Sequence, residues 1–195
     1  MNKLFKRYKV VISGTSPLRQ QRRPLPGDHK IPKLGSDIPT EDVQKKLFEN
    51  ARMWEKKGGY YQTANQIMKA ITLISHREKV PGQGNLRFSR LIGEGGIMIE
   101  PEKIFHKNQK DVIKIGHWTV NEQRGKRNQI WTVKCQIDKW ELEFTITNNL
   151  SEVLTEDYLK SFIEMAGMFC GVGQDRPGRG KTFGRYEIKE FKEIK

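Results

Sequence analysis

Gly171-Val-Gly-Gln-Asp-Arg-Pro-Gly-Arg-Gly-Lys-Thr-Phe-Gly-Arg185 is the stretch from which the rest of the chain is best read. Five of its fifteen residues are glycine, and four are basic: Arg176, Arg179, Lys181 and Arg185. An apolar-periodic segment ending in Ala166-Gly-Met-Phe-Cys170 precedes it, and an alternating run, Tyr186-Glu-Ile-Lys189, follows it. The pattern predicts a basic, glycine-rich loop between a helix and a strand. Glycines let backbone N–H groups approach a ligand closely, and the cations attract phosphate. A nucleotide-binding P-loop places a helix after its glycines. Here a strand follows, which favours one wall of an extended groove over a phosphate cradle. The plainer reading is a polar, mobile connection.

The excess of positive charge extends well beyond this loop. The chain of 195 residues carries a net charge of +13. Residues 1–33 hold nine Lys/Arg against Asp28 alone. Nucleic acid is the leading partner for such an imbalance, ahead of an anionic membrane surface. No long apolar stretch stands out, so no membrane association is expected. Apolar residues make up 35%, enough for one core and a single domain over 1–195. Cys135 and Cys170 lack a CxxC context. They read as buried free thiols of a cytoplasmic protein rather than as a zinc site or disulfide framework.

Working outward, residues 4–13 alternate as a strand, and residues 14–35 form an irregular, basic, proline-containing loop. Thr40 caps a helix carrying Val43, Leu47, Ala51 and Trp54, which Gly58-Gly59 stops. Thr63 caps a second helix, with Ile67, Ile71 and Ile74 on one face. A strand follows at 97–100. Residues 112–137 read as a long hairpin whose tip, 121–128, carries Arg124, Lys126 and Arg127, with Trp118 and Trp131 flanking it. Cations beside aromatics suit backbone contact and base stacking, although the tryptophans equally suit packing on the sheet. Trp140, Leu142, Phe144 and Ile146 alternate with polar residues as a half-buried strand. A helix from Thr155 and a last strand, 183–191, complete the order. The expected fold is α+β, a ferredoxin-like or RNA-recognition-motif-like core with an antiparallel sheet. Insertions fall at about 14–39 and 112–137.

Several motifs carry a family resemblance. They are Gly14-Thr-Ser-Pro-Leu18 after the first strand, Trp140 with Phe144, Ala166 to Gly173, Arg176-Pro177, and Phe183-Gly-Arg-Tyr186. Together they resemble a family of small bacteriophage proteins similar to the RAMP superfamily, which includes backbone subunits of CRISPR surveillance complexes. The resemblance implies a modified RNA-recognition-motif core that binds single-stranded nucleic acid, often as a helical filament. It further implies that the N-terminal loop and the hairpin match the finger and thumb elements of such subunits. Aromatic RNP-type runs are missing from the inner strands, so loop-borne contacts are favoured over stacking on the sheet.

The expected function is sequence-independent binding of single-stranded nucleic acid, DNA slightly ahead of RNA, in phage replication or recombination. The chain would act as a homo-oligomer on the strand, in the host cytoplasm if phage-encoded, and without a cofactor. The residues expected to line the groove are Arg19, Arg22, Arg23, Arg124, Lys126, Arg127, Trp131, Arg176, Arg179, Lys181 and Arg185. No zinc motif, P-loop or catalytic-triad spacing is present, so no enzymatic activity is expected. Two alternatives stand beside this reading. One is a RAMP-type endoribonuclease using His29 as general base, with Asp28 a further candidate by analogy alone. The other is a structural protein with a basic surface.

Overall fold

The computed structural model describes residues 5–22, 25–31, 38–107, 109, 112–123 and 126–195, and the side chains of all these except 119–130. In chain order its strands and helices are β1 (Lys6–Gly14), β2 (Leu18–Gln20), α1 (Glu41–Ala51), β3 (Trp54–Glu55), β4 (Gly59–Thr63), α2 (Ala64–Ser75), α3 (Phe88–Leu91), β5 (Ile97–Glu100), β6 (Lys103–Phe105), β7 (Val112–Gln123), β8 (Lys126–Ile137), β9 (Glu141–Asn148), α4 (Glu156–Met165) and β10 (Tyr186–Ile194).

Apolar alternation builds the central sheet. Tyr8, Val10 and Ile12 of β1 are fully buried, as are Leu142 and Ile146 of β9, with Phe144 between them nearly so. The register sets Tyr8 against Ile146, Val10 against Phe144 and Ile12 against Leu142, so one face of both strands is apolar. Helices α2 and α4 cover that face. Ile67, Ile71 and Ile74 of α2, and Leu159, Phe162 and Ile163 of α4, recur at helical spacing and join the same core. The strand order is β10-β1-β9-β5, and every pairing is antiparallel. With α2 between β1 and β5, and α4 between β9 and β10, this is the ferredoxin-like β-α-β-β-α-β unit within an α+β fold.

Two three-stranded sheets are added, β2-β8-β7 and β3-β4-β6. Gln20, buried in β2, joins them: its amide donates to the Tyr61 carbonyl at 2.8 Å, and its carbonyl accepts from the Met53 N–H at 3.2 Å. The hairpin of β7 and β8 stays in register from Val112–Ile137 out to Gln123–Lys126. Both cysteines are buried and free, and burial pushes the Cys135 thiol up to about 12.

Three boundaries differ from the sequence expectation. Helix α1 stops at Ala51 instead of running to Gly58, because Arg52 turns to extended backbone and Trp54 pairs with Tyr60 in a small hairpin. Trp54 satisfies the helical period, yet it sits on a strand. The irregular loop after Gly14 contains a strand, β2, that its prolines and glycines hid. The last strand starts at Tyr186 rather than at residue 183, because Gly184 turns the chain with a φ of +71°.

Candidate nucleic-acid interface

The motifs that carried the family resemblance lie far apart in sequence and meet in one packed unit. Trp140 lies against Gly14, where an added Cβ would come within 2.2 Å of the indole nitrogen. That nitrogen donates to the Ser16 carbonyl at 2.8 Å. The Trp140 ring meets Tyr186 edge-on at 6.3 Å. Tyr186 in turn passes Gly167 so closely that a Cβ there would stand 2.2 Å from its carbonyl oxygen. The glycine-rich loop is hydrogen-bonded to the turn after β1 along its length. Gln174 N–H donates to the Arg19 carbonyl (2.7 Å) and Gly184 N–H to the Pro17 carbonyl (2.8 Å). Thr15 N–H donates to the Arg185 carbonyl (2.9 Å). Arg185 N–H donates to the Ser16 hydroxyl (2.9 Å). Within the loop, residues 177–179 form one 3-10 turn that starts on Pro177.

Beneath this loop the β2-β8-β7 sheet presents a polar face. Alternation puts Val133, Cys135 and Ile137 inward and leaves Thr132, Lys134 and Gln136 on the other side. Arg19 joins the polar side because it is opposite Gln136 in the register. Its Nε donates to the Gln136 side chain at 3.0 Å, its Nη1 to Asp175 at 3.2 Å, and its guanidinium stacks on Phe183 at 3.7 Å from the ring centre. Lys134, buried, donates to the same Asp175 oxygen at 2.7 Å. Burial alone would raise the Asp175 carboxyl, but the hydrogen bonds from Lys134 and Arg19 outweigh it and hold the group below the usual carboxylate range. Asp175 has a φ of +56°, a left-handed conformation that aspartate tolerates better than most residues. Here it fastens the loop to the sheet. His117, on the same face, is kept below its ordinary pKa by burial and by the nearby charges of Lys134 and Arg19.

The expected groove residues fall into three groups. Arg179, Lys181 and Arg185 are exposed on the loop, and among the described residues none has an ion-pair partner for its side chain. Arg176 is half-buried beside them and donates to the Gly173 carbonyl at 3.1 Å; burial, then the neighbouring Arg179, lowers its pKa. Arg19 and Arg22 form the second group, with charge already engaged. Arg22 faces the end of α1 and grips Asp28 with two bonds of 2.8 and 2.5 Å. The third group is at the hairpin. The Lys126 and Arg127 backbones open β8, paired with Gln123 and Glu122, while their side chains lie outside the described residues. Arg23 and Arg124 lie outside them altogether. Trp131 pairs with Trp118 edge-to-face at 5.3 Å and lies over Gly116, leaving Trp118 as the more exposed ring. Trp140 is core.

His29 is half-exposed, and its Nε2 is 2.7 Å from the Glu49 carboxylate. A polar pocket of about 220 Å³ lies alongside, lined by Arg22, Asp28, Arg52 and Trp54 among others. The Arg52 guanidinium stacks on the Trp54 ring at 4.5 Å. Asp175, Lys134 and Arg52 were not singled out in the sequence, and Phe183 entered only as part of the Phe183-Gly-Arg-Tyr186 motif. Asp175 carried a usable signal as the one acid in the fifteen-residue loop.

The sheet face opposite the helices is different in kind. Its register brings Lys9, Val11, Ser13, Glu141, Glu143 and Glu190 together, with no aromatic ring among them. Lys9 reaches Glu143 and Glu190 at 3.6 and 3.3 Å, Lys107 reaches Glu141 and Glu143 at 2.9 and 2.8 Å, and Lys189 reaches Glu141 at 2.6 Å. No group of His, Cys, Asp and Glu among the described residues is placed to hold a metal ion. No described helix is long and apolar enough to cross a membrane.

No protein-family model matches the chain, and no curated protein matches it. Among solved structures, it is similar to a chain in the cryo-EM structure of the Type III-B Cmr-beta bound to cognate target RNA. The TM-score is 0.56 at 12% identity, covering 98% of this chain and 61% of that one. This protein therefore spans about three fifths of that neighbour's length. It is also similar to Cmr6 from Pyrococcus furiosus, with a TM-score of 0.50 at 11% identity, covering 97% of this chain and 100% of the other. Both neighbours are RAMP-superfamily subunits of CRISPR complexes. At these identities the likeness is one of fold alone, and that fold is the ferredoxin-like α+β architecture expected from the sequence.

Proposed function

We propose that this protein binds single-stranded nucleic acid without sequence preference, RNA ahead of DNA, and is not an enzyme. The observation that carries the reading is the contrast in charge. Arg179, Lys181 and Arg185 have no ion-pair partner among the described residues and stand on a loop fixed to the β2-β8-β7 sheet, whereas Lys9, Lys107 and Lys189 on the open face of the central sheet are each held by glutamates. Phosphates meet unpaired cations at little desolvation cost, and a fixed loop loses little entropy on binding. Trp118 supplies an accessible ring on the adjoining hairpin for base stacking. RNA moves ahead of DNA because a neighbour of the same fold comes from a structure of Cmr-beta bound to cognate target RNA. A phage setting and assembly along the strand, both implied by the motif resemblance, belong to the same proposal.

Fluorescence anisotropy with single-stranded RNA, single-stranded DNA and duplex, over a salt series, tests it. Affinity is expected to fall about tenfold or more across a few-fold rise in salt. A salt-independent affinity or a duplex preference would overturn it. Imaging the complexes tests filament formation.

One observation favours a second reading. An imidazole bonded to a carboxylate, as His29 is to Glu49, has the arrangement of a general base with an orienting partner. Cleavage of labelled RNA by the wild type that is lost in His29→Ala would establish an endoribonuclease. Intact RNA with both proteins is the outcome that the binding proposal expects.

A further inference from the structure

Strand β10 ends the central sheet, and among the described residues no strand pairs with its outer edge. A long edge strand is a template for another strand unless its side chains forbid it. The sequence of this one is Glu187-Ile-Lys-Glu-Phe-Lys-Glu-Ile-Lys195, a threefold repeat of acid, apolar residue and lysine. Read in the opposite direction, the order of charges is inverted while the apolar positions stay in place. An antiparallel copy of the same strand therefore meets it with opposite charges across the gap.

We infer that β10 is a self-association edge whose partner is β10 of a second copy of this chain. The two-fold axis passes at Phe191, perpendicular to the sheet, so the interface is isologous. This register sets Glu190 opposite the partner's Lys192 and Lys189 opposite the partner's Glu193, each pair occurring twice. Opposite charges directly across an antiparallel ladder stabilise it, and like charges destabilise it. The β1–β10 register shifts between Val11 and Ile12, which face Glu190 and Ile188, leaving Lys189 at the irregularity. That irregularity bounds the ladder to residues 189–193. So short an interface belongs to the weak, reversible class.

A second observation points to a missing acid. Lys192 stands directly opposite Lys9 in the β1–β10 register, like charge against like. Lys9 has Glu143 and Glu190, while Lys192 has no ion-pair partner among the described residues. The partner's Glu190 would supply one. The present contacts of the other charges are Lys189 to Glu141, Glu190 to Lys9 and Glu193 to Lys6. All lie on partly or fully exposed side chains, where such pairs are weak and easily shared.

Sedimentation of the whole protein, without nucleic acid and over a range of concentrations, tests the inference apart from the binding proposal. The wild type is expected to pass from monomer to dimer as concentration rises. The double variant Lys189→Glu/Lys192→Glu, and the double variant Glu190→Lys/Glu193→Lys, should each associate at least about tenfold more weakly. An equimolar mixture of the two should recover dimer, because every cross-strand pair is then opposite in charge. Circular dichroism confirms that each variant is folded, and the recovery in the mixture shows the same. A wild type that stays monomeric at several hundred micromolar would overturn the inference, as would a dimer indifferent to both reversals or a mixture that stays monomeric.

Discussion

Lysines on the open face of the central sheet and cations on the glycine-rich loop have the same formal charge and opposite circumstances. Lys9, Lys107 and Lys189 each reach a glutamate across the sheet. Arg179, Lys181 and Arg185 have no such partner among the described residues. A net charge of +13 therefore says little about where a polyanion would lie. What matters is which cations the fold leaves unspent. In an RNA-recognition motif the sheet face is the binding platform; here Lys9, Lys107 and Lys189 on that face are tied to glutamates, and no aromatic ring stands among the strand residues described there. In the proposed reading the role falls to the loop and the hairpin.

Four variants test this contrast, in falling order of effect. Gly184→Val strikes the loop's anchor. The residue has a φ of +71°, and a Cβ would stand 1.9 Å from the Val172 carbonyl oxygen. The loop should come away from the turn after β1 at a cost of several kcal/mol, seen as a large drop in Tm and as loss of binding. The triple variant Arg179→Ala/Lys181→Ala/Arg185→Ala should keep its Tm but bind single strands at least tenfold more weakly. The slope of log affinity against log salt should shrink by about 2. An unchanged slope would move the interface elsewhere.

Asp175→Asn should destabilise by about 1–3 kcal/mol, because it leaves the Arg19 guanidinium and the buried Lys134 ammonium short of a counter-charge. The pH dependence has a definite sign. The folded pKa lies below the ordinary carboxylate value, so the carboxylate's contribution is whole above that ordinary value, about 3.9. It is lost as the pH falls through the lower, folded one. Melting curves from pH 6 downward should show wild type and Asp175→Asn converging in acid. The smallest effect belongs to Glu143→Gln on the open face. Its exposed pairs with Lys9 and Lys107 are worth roughly 0–1 kcal/mol, and binding should not weaken. Should affinity rise several-fold instead, the sheet face contributes after all and the contrast between the regions narrows.

The central unit was legible because its signals are local. Alternation in Trp140 to Ile146 and helical spacing in Ile67, Ile71 and Ile74 each require only a few consecutive residues. Trp54 shows the limit of that logic. It keeps helical phase with Ala51, yet its pairing with Tyr60 wins, and propensity is readily overridden by tertiary pairing. The site was legible as a loop rich in unpaired cations, but not as a fastened one. Nothing in the neighbourhood of Asp175 announces that Lys134, forty-one positions earlier, will share its oxygen. Nor does local sequence separate Arg185, which has no ion-pair partner among the described residues, from Arg19, which is held by Asp175 and Phe183.

The union of the turn at residues 14–19 with the loop at 171–186 also sets a schedule for folding. Strand β1 leaves the ribosome well before one of its two neighbours, β10. Until Gly184 and Tyr186 have emerged, Pro17, Arg19 and Trp140 lack their partners, and the basic N-terminal segment waits without the surface it helps to form. Contacts so distant in sequence close slowly. The fastened form of the loop is therefore acquired only after β10 has been made, so a nascent chain that stops short of it lacks the surface on which the proposed binding rests.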